Sequence, residues 1–398
     1  MQPQPRELFG ADMLAAFDFS TRPVDEAGIL PPILYTSPEF FEFEKRSIFL
    51  HDWLCVGRSA QVPNPGDYST ITLFDEPLIL SRDKEGIVRV LSAVCQHRGM
   101  VVADGAGNCS KFTCPYHHWN YGLDGRLLGA PAMERAVGFD KTDFALGALR
   151  TEEWNGFVFA SFDPDVAPLA PSLRTLTELL TNFHLNDAAT IIGETYSDLP
   201  WNWKVMHENF NDAYHANRLH QGIGDFVPGE MAQFLEWNDG ANHITRLNGH
   251  TVYDASFNPM AAAILPVFGG LTDEERWRSM FALVPPTLGM AIVPNGVTYF
   301  VVNPKSPQTI DIHIGYCFEP TALDDPLFEL KFEHEKSGVN NFNIQDIWAD
   351  TMVQRGLGSV FAPHGRYSWE EETLRQLNRW LVKRYRTHWP DGVGQLRS

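Results

Sequence analysis

The segments Cys95-Gln96-His97-Arg98-Gly99 and Cys114-Pro115-Tyr116-His117 each place a cysteine close to a histidine. The histidine follows its cysteine by two residues in the first segment and by three in the second. Together the segments offer two thiolates and two imidazoles from two short loops. A [2Fe–2S] cluster with cysteines on one iron and histidines on the other uses this ligand set. Structural Zn²⁺ sites also use two cysteines and two histidines, so the ligand types alone leave both centres open.

The residues after the second segment favour iron–sulfur over zinc. His118-Trp119-Asn120-Tyr121-Gly122-Leu123-Asp124-Gly125 follows directly, and the stretch from Cys114 resembles the CPYHxWxYxxDG signature of Rieske iron–sulfur proteins. Strand-like runs and Gly/Pro turns surround both segments, which is typical of a small β domain rather than of a zinc ribbon. The cysteine-to-histidine spacing favours His117 over the adjacent His118. We therefore predict a Rieske-type [2Fe–2S] cluster bound by Cys95, His97, Cys114 and His117.

The size and composition of the chain limit the remaining possibilities. Its 398 residues suit two domains of the usual ~100–200 residues each. No signal-peptide pattern and no run approaching ~18 apolar residues is present, so we expect a cytoplasmic protein without a membrane span. Cys55, Cys109 and Cys317 are expected to be reduced thiols. The net charge of −19 argues against nucleic-acid binding, because such a protein needs a basic surface to neutralise phosphates.

The strand signals predict where the domains lie. Alternation of polar and apolar residues from Tyr68 to Phe74, a hairpin signal at Asp83-Lys84-Glu85-Gly86 and the apolar run from Gly156 to Ala160 predict a small antiparallel β domain around the cluster ligands. Later in the chain, helical patterns mix with strands, which predicts a helix-covered antiparallel sheet and an α+β fold. The predicted parts are an N-terminal helical segment packing on the catalytic domain, the Rieske domain and the catalytic domain: residues 1–45, 46–165 and 166–398.

A second group of metal-binding residue types lies between Asn202 and His220. Glu208, Asp212 and His215 are spaced i, i+4 and i+7, so on one continuous helix they share a face. His220 follows His215 by five residues, where the predicted helix ends. Two histidines and a carboxylate with open positions form the facial triad of non-haem Fe(II) oxygenases. A Rieske cluster transfers electrons without forming a product, so a mononuclear Fe(II) site is expected beside it.

Along nearly all of its length, the chain resembles the catalytic α subunits of Rieske non-haem iron ring-hydroxylating oxygenases. Besides the Rieske signature, the resemblance rests on Asn202-Trp203-Lys204, Glu208-Asn209, Asp212, Tyr214-His215 and His220. It implies that His215 and His220 bind the mononuclear iron. It also implies that Asp212 bridges His215 to His117 of the partner subunit, and hence a ring-shaped homotrimer. A carboxylate that accepts the second N–H of a metal-bound histidine is a common arrangement.

The same resemblance indicates the third iron ligand. The segment from Gln345 to Leu357 is similar to the carboxylate segment of the family, in which the ligand lies eight residues before a glutamine. Asp346 lies eight residues before Gln354 and is thereby implied as the ligand. Asp350, one helical turn later, is the alternative.

One spacing departs from the naphthalene-dioxygenase type. The sequence spacing from Glu208-Asn209 to Asp212 is one residue shorter than in that type. The choline, carnitine and glycine-betaine oxygenases have the same shorter spacing. Those enzymes usually have Glu at the bridging position, where this chain has Asp212. The chain is also shorter than typical dioxygenase α subunits. Both features disfavour dioxygenation and an accessory β subunit.

The resemblance implies electrons from NAD(P)H through a ferredoxin or a flavin reductase, with O₂ as co-substrate. Apolar residues in the expected pocket region favour an aromatic or other hydrophobic substrate, as in aromatic hydrocarbon catabolism, and hence ring hydroxylation. The alternative is a monooxygenase that dealkylates at N or O, or oxidises a quaternary amine. A distant alternative is a Rieske electron-transfer protein without oxygenase activity. Arg246 is interpreted as a solvated surface residue rather than as a partner for a substrate carboxylate. The predicted pocket residues are Phe226, Met231, Phe234, Phe257, Met260, Ile264, Leu265, Phe268, Phe281 and Leu283.

Overall fold

The computed structural model describes residues 8–220 and 222–390, and the chain divides into two compact units. One unit is Phe49–Ala167, and the other combines Met1–Ile48 with Pro168–Ser398. The second unit is therefore interrupted in sequence by the first. The domain ranges expected from the sequence stay a proposal beside this division. No helix in the described part of the chain has the length and the apolar sequence that a membrane crossing requires.

The unit Phe49–Ala167 is built mainly from short antiparallel strands. These strands are β1 (Leu54–Arg58), β2 (Asp67–Leu73), β3 (Glu76–Arg82), β4 (Val88–Ser92), β5 (Ala106–Asn108), β6 (Phe112–Thr113), β7 (Asn120–Tyr121), β8 (Leu127–Gly129), β9 (Arg150–Trp154) and β10 (Phe157–Ser161). They form three sheets with the strand orders β1-β10-β9, β4-β3-β2-β5 and β6-β7-β8.

Local turn chemistry produces the hairpin between β3 and β4. Asp83 Oδ1 accepts hydrogen bonds from the backbone N–H of Glu85 at 3.0 Å and of Ile87 at 2.8 Å. Gly86 adopts φ +83°, a conformation that glycine reaches without a steric cost. The turn lies at the predicted hairpin sequence. It sets the antiparallel register in which Ser81 pairs with Arg89.

The second unit is a sheet covered by helices. Its strands are β11 (Ala189–Leu199), β12 (Ala232–Phe234), β13 (Ile244–Gly249), β14 (Arg278–Val284), β15 (Leu288–Val293), β16 (Gly296–Ser306) and β17 (Thr309–Phe318). Its helices are α1 (Ala11–Ser20), α2 (Pro38–Glu44), α3 (Leu169–Ser172), α4 (Arg174–Leu179), α5 (Trp203–Asn211), α6 (Ala213–Leu219), α7 (Ile223–Phe226), α8 (Asp273–Arg276), α9 (Phe328–Leu357) and α10 (Glu372–Thr387). The strands pair antiparallel in the order β11-β17-β16-β15-β14-β13-β12, so the predicted α+β fold is confirmed.

A row of directly opposed residues crosses the middle of this sheet. Arg246 pairs with Phe281, Phe281 with Ala291, and Ala291 with Thr298. Because side chains alternate along a strand, directly opposed residues point to the same face of a sheet. Helix α5 packs on β14 and β16, and α9 packs on α5. This face of the sheet and these helices enclose the site described below.

A buried carboxylate ties the N-terminal segment to the rest of its unit. Glu44, at the end of α2, accepts hydrogen bonds from Lys204 Nζ at 2.7 Å, Tyr385 Oη at 2.5 Å and Trp203 Nε1 at 3.1 Å. The side chains of Glu44 and Lys204 are 0% exposed. Burial lowers the pKa of Lys204, and the Glu44 carboxylate acts in the opposite direction. This group joins α2, α5 and α10.

Removing one member of this buried ion pair is expected to destabilise the protein strongly. Lys204→Met leaves Glu44 buried without its ammonium partner, which should lower the free energy of unfolding by about 3–5 kcal/mol. Lys305→Met is the matched control, because Lys305 pairs with Asp198 at the surface and an exposed pair contributes only about 0–1 kcal/mol. Denaturant unfolding of both variants gives the comparison. Equal losses in the two variants would refute the structural role of the buried pair.

Candidate functional site

The two predicted cluster segments fold into matching turns. In each, the amide four residues after the cysteine donates to the cysteine carbonyl: Gly99 to Cys95, and His118 to Cys114, both at 3.0 Å. This same residue has a left-handed backbone conformation in both turns, with φ +75° at Gly99 and +58° at His118. His118 therefore completes the turn, and it is exposed. His117 occupies the ligand position that the spacing favoured.

The predicted cluster ligands come together on these turns. The Nδ1 atoms of His97 and His117 lie 3.1 Å apart. Lone pairs that face each other at this distance repel unless a proton or a metal ion lies between them. Cys95 and Cys114 are buried, and Tyr121 Oη lies 3.2 Å from Cys95 Sγ, where its O–H can stabilise a thiolate. The buried thiols and the facing imidazoles fit a cluster with cysteines on one iron and histidines on the other.

The continuous helix predicted for residues 202–220 is interrupted at Asp212. The expectation that Glu208, Asp212 and His215 share one helix face is therefore wrong. Asp212 has extended backbone angles, and its side chain accepts hydrogen bonds from the amides of Tyr214 and His215. Aspartate is a strong N-cap, because it satisfies amides that the first helical turn leaves without partners. The carboxylate thus ends α5 and starts α6 in a new direction.

The structure brings His215, His220 and Asp346 together. One possible ligand atom from each lies within 4.8 Å of the other two. Asp346 Oδ1 is 3.6 Å from His215 Nε2 and 3.2 Å from His220 Nε2. His215 lies on α6, His220 directly follows it, and Asp346 lies on α9. Two imidazoles and one carboxylate that converge from one side fit a facial-triad metal site.

The second nitrogens of both histidines lie close to polar side chains. Asp212 Oδ2 lies 3.2 Å from His215 Nδ1, and Gln345 Oε1 lies 3.0 Å from His220 Nδ1. Gln345 Oε1 is an acceptor, so this hydrogen bond places the proton of His220 on Nδ1 and leaves the lone pair of Nε2 toward Asp346. This arrangement of His220 is expected of a metal-bound histidine. His215 Nδ1 lies close to the Asp212 carboxylate but forms no hydrogen bond in the described part of the chain. Sequence reasoning missed Gln345, although it directly precedes Asp346.

Asp350, the alternative third ligand, is not part of the converging group. It is 3% exposed, and burial raises its pKa well above the ordinary value, with the charges of Asp346 and Glu208 adding to the effect. A buried carboxyl held in its neutral form is a poor metal ligand. Asn209 donates to Asp346 Oδ1 at 3.3 Å and also hydrogen-bonds Asp350, so it connects the two acids. The geometry favours Asp346, whose role stays a prediction.

Comparison with known proteins agrees with this geometry. Residues 52–150 match the Rieske [2Fe-2S] domain, and residues 186–387 match the ring hydroxylating alpha subunit (catalytic domain). The chain is 34% identical over 355 residues to a carnitine monooxygenase oxygenase subunit of Acinetobacter pittii (strain PHEA-2), covering 86% of this chain and 88% of that protein. This chain belongs to the Rieske-type ring-hydroxylating oxygenase α subunits.

Solved structures of similar proteins have the same fold. A quaternary ammonium Rieske monooxygenase superposes with a TM-score of 0.79 at 24% identity, covering 92% of this chain and 98% of that one. Naphthalene 1,2-dioxygenase from a Rhodococcus species superposes with a TM-score of 0.78 at 20% identity, covering 95% of this chain and 99% of that one. At these identities the likeness concerns the fold alone.

Membership in this family settles the class of cofactors and the class of reaction. The cofactors are a Rieske [2Fe–2S] cluster and a mononuclear iron, and the protein is an oxidoreductase that incorporates oxygen. The zinc alternative and the alternative of an electron-transfer protein without oxygenase activity are therefore wrong.

Glu208 of this oxygenase subunit forms a separate buried polar group. The Tyr35 hydroxyl donates a short hydrogen bond to Glu208 Oε1. Burial raises the pKa of Glu208 to about 7, although the Tyr35 hydrogen bond and the Lys204 ammonium act in the opposite direction. Within the described residues, Glu208 is not part of the group of His215, His220 and Asp346 that could hold a metal ion. The hydrogen bond from Tyr35 and the nearby Lys204 ammonium indicate a structural role for Glu208 within α5.

A cavity of about 120 Å³ lies beside the converging histidines and Asp346. The row Arg246, Phe281, Ala291 and Thr298 belongs to its sheet side. The opposite side comes from α5, α6, α7 and α9. Its walls are largely apolar, which suits a small organic substrate. The helix residues that line it are Met206, Asn209, Phe210, His215, Ala216, Ile223, Val339, Phe342, Asn343, Asp346, Ile347 and Asp350.

The predicted composition of the pocket is only partly right. Phe257 and Phe281 line the cavity, whereas the other predicted residues do not line it in the described structure: Phe226, Met231, Phe234, Met260, Ile264, Leu265, Phe268 and Leu283. The interpretation of Arg246 as a solvated surface residue is wrong. Arg246 is 2% exposed and lines the cavity, because β13 lies between β12 and β14 inside the sheet.

Metal analysis of variants should separate the two candidate acids. The wild-type chain should hold about three irons and two sulfides, the sum of one [2Fe–2S] cluster and one iron. Asp346→Ala should lose about one iron with unchanged sulfide and an unchanged cluster spectrum. Asp350→Asn is the matched control and should keep all three irons, because Asp350 lies outside the converging group. Loss of iron in Asp350→Asn with retention in Asp346→Ala would reverse the assignment.

Proposed function

We propose that this chain is the oxygenase component of a monooxygenase that hydroxylates a carbon next to a quaternary nitrogen. The observation that carries the proposal is the aromatic cavity directly beside His215, His220 and Asp346. The long, 34% identical match to a carnitine monooxygenase subunit supports it. The proposal takes up the alternative considered from the sequence, in preference to aromatic ring hydroxylation.

The cavity walls suit a quaternary ammonium group. Such a cation offers no N–H and accepts no hydrogen bond, so proteins bind it against aromatic faces. Phenylalanine rings follow one another along the cavity, and the last one lies beside an iron-binding histidine. The ring centroids are separated by 5.3 Å for Phe300–Phe210, 6.0 Å for Phe210–Phe281, 5.6 Å for Phe281–Phe257, 6.5 Å for Phe257–Phe342 and 5.0 Å for Phe342–His220.

The proposed reaction balances with the cofactors of the family. The C–H bond takes up one oxygen atom of O₂, and the second atom leaves as water after addition of two electrons and two protons. The resulting hydroxyl lies on a carbon bonded to positively charged nitrogen. The C–N bond then breaks with its electron pair moving to nitrogen, the hydroxyl loses its proton, and a tertiary amine and a carbonyl compound are formed. When bound, the iron activates O₂ and the cluster delivers electrons.

The side chains of the site position groups and exclude water. Gln345 holds the imidazole ring of His220 by a hydrogen bond, and Asp212 lies beside the ring of His215. The Nε2 atom of each ring faces Asp346. Asn209 donates a hydrogen bond to the Asp346 carboxylate. The phenylalanine rings remove water from the space beside these three residues, which strengthens the electrostatic interactions there.

We propose further that a ferredoxin or a flavin reductase delivers electrons from NAD(P)H and that the active oligomer is a homotrimer. The bridge from His117 of the partner subunit to His215 would pass through Asp212. The position of the Asp212 carboxylate, 3.2 Å from His215 Nδ1, supports this role. An accessory β subunit is not part of the proposal.

Asp212→Asn should separate electron transfer from folding. Asparagine remains a good N-cap, so α6 should persist, while the negative charge at His215 Nδ1 is removed. We expect full iron content and a reducible cluster, but turnover about 10–100-fold lower. Asp187→Asn, at an exposed position outside the site, is the control. Wild-type turnover in Asp212→Asn with all irons present would exclude the bridge.

A substrate comparison tests the proposed reaction. The iron-loaded chain, a surrogate reductase and NADH are given L-carnitine, glycine betaine, choline, naphthalene or salicylate, with ¹⁸O₂ as oxidant. We expect oxygen uptake coupled to amine and carbonyl products from at least one quaternary amine, and label in the carbonyl compound when it is trapped at once. Ring-hydroxylated product from an aromatic compound, with none from the amines, would support the second candidate, ring hydroxylation. The phenylalanine-lined cavity is the observation that keeps that candidate open.

A further inference from the structure

Arg246 is a buried cation in the wall of the substrate cavity. It lies in the middle of β13, is 2% exposed and faces Phe281 across the strand pair. The guanidinium carbon is 3.8 Å from the centre of the Phe281 ring. Stacking on an aromatic face holds the planar guanidinium in one orientation. Its edge therefore remains available for hydrogen bonds.

The hydrogen-bonding capacity of Arg246 is largely unused. Nη1 donates to Asn248 Oδ1. Nε is buried and has no partner among the described residues. The guanidinium forms no salt bridge with any carboxylate in the described ranges, although the charge of Asp212 acts on it from farther away. Burial lowers the pKa of Arg246 to about 10, so the side chain stays charged at neutral pH.

Two further buried donors belong to residues that line the same cavity. Trp201 Nε1 and Asn343 Nδ2 have no hydrogen-bond partner in the described part of the chain. Together with Arg246 Nε, these are three unpaired buried donors on residues that line one cavity. Buried donors of this kind are costly unless a ligand or water supplies acceptors. A carboxylate accepts at both oxygens, carries no donor and matches the fork of a guanidinium.

The acids already in the cavity do not fill this role. Asp346 belongs to the converging metal-binding group, and Asp350 is buried in a form that favours the neutral acid. Neither forms a salt bridge with Arg246 within the described residues. A buried guanidinium without a partner anion is unfavourable, and an incoming anion relieves that cost. The described acids of the cavity therefore supply no anion that pairs with Arg246, whereas a bound substrate can supply one.

We propose that Arg246 binds a carboxylate group of the substrate. This inference rests on the proposed function. It assigns the substrate to the quaternary ammonium carboxylates, which carry the cation and the anion in one molecule. The phenylalanine rings receive the ammonium end, and Arg246 receives the carboxylate end. An amino alcohol such as choline, which lacks the carboxylate, is a poor ligand. Arg246 is thus a specificity-determining residue for the reaction.

Binding without turnover tests this assignment. Calorimetry on the oxidised, iron-loaded enzyme, without reductant, compares L-carnitine and glycine betaine with their methyl esters and with choline. For the wild type we expect the carboxylates to bind more tightly than the esters and choline. Arg246→Gln should weaken carboxylate binding about 30-fold or more and leave ester binding nearly unchanged. Arg246→Lys should recover part of the loss, because it restores the charge without the fork.

The controls separate binding from folding. Arg278→Gln is the matched variant, because Arg278 lies on the neighbouring strand β14, pairs with Glu274 and does not line the cavity. Iron content and the cluster spectrum report whether each variant is folded. If Arg246→Gln does not fold, equal binding of carboxylates and esters by the wild type still overturns the assignment, and a strong preference for the carboxylates still supports it.

The outcomes also distinguish this inference from the proposed function. Turnover of quaternary amines without a carboxylate preference, and without an effect of Arg246→Gln, would refute the role of Arg246 and leave the monooxygenase function in place. Binding of salicylate or benzoate that depends on Arg246, with no binding of quaternary amines, would support the anchor and refute the proposed function.

Discussion

The Asp212 carboxylate is the constraint on which the arrangement of the site depends. It accepts hydrogen bonds from the first amides of α6 and lies beside the Nδ1 atom of His215. If the chain continued as one helix, His215 would follow the face set by α5. The interruption gives α6 its own direction, and His220 directly after its last turn completes the pair. One side chain thus ends a helix, starts another and lies beside the ring of a candidate metal ligand.

The sheet supplies the other half of the site through register. Arg246, Phe281, Ala291 and Thr298 come from strands that are separated by long stretches of sequence, yet they lie opposite one another in a row. Antiparallel pairing fixes this row within one residue, because a shift of one residue would turn each side chain to the other face. Helix α9 closes the space above and brings Asp346 and Gln345 to the histidines. Arg246, the phenylalanine rings and the candidate metal ligands therefore surround one small cavity.

Features that are set by neighbouring residues could be predicted from the sequence. Features that depend on residues far apart in the chain could not. Cys95, His97, Cys114 and His117 are set by spacings of two or three residues and by local turns, so a motif describes them well. Asp346 was reached only by resemblance, since its partners lie more than a hundred residues away. The aromatic cavity and the burial of Arg246 depend on strand register, which no local pattern encodes. The sequence did not predict the break at Asp212, because the spacing of Glu208, Asp212 and His215 also fits one continuous helix.

The buried Glu44 group has a consequence for the order in which the chain folds. Glu44 precedes Lys204 by 160 residues and Tyr385 by 341 residues. During synthesis, this carboxylate gains its partners only after α5 and then α10 have been made. In the sequence, the unit Phe49–Ala167 lies between Glu44 and its partner residues. This unit has a core of its own, so it can form while the N-terminal segment still lacks its partners. The buried Glu44 group is therefore completed only after α10 has joined the helices that precede it in the chain.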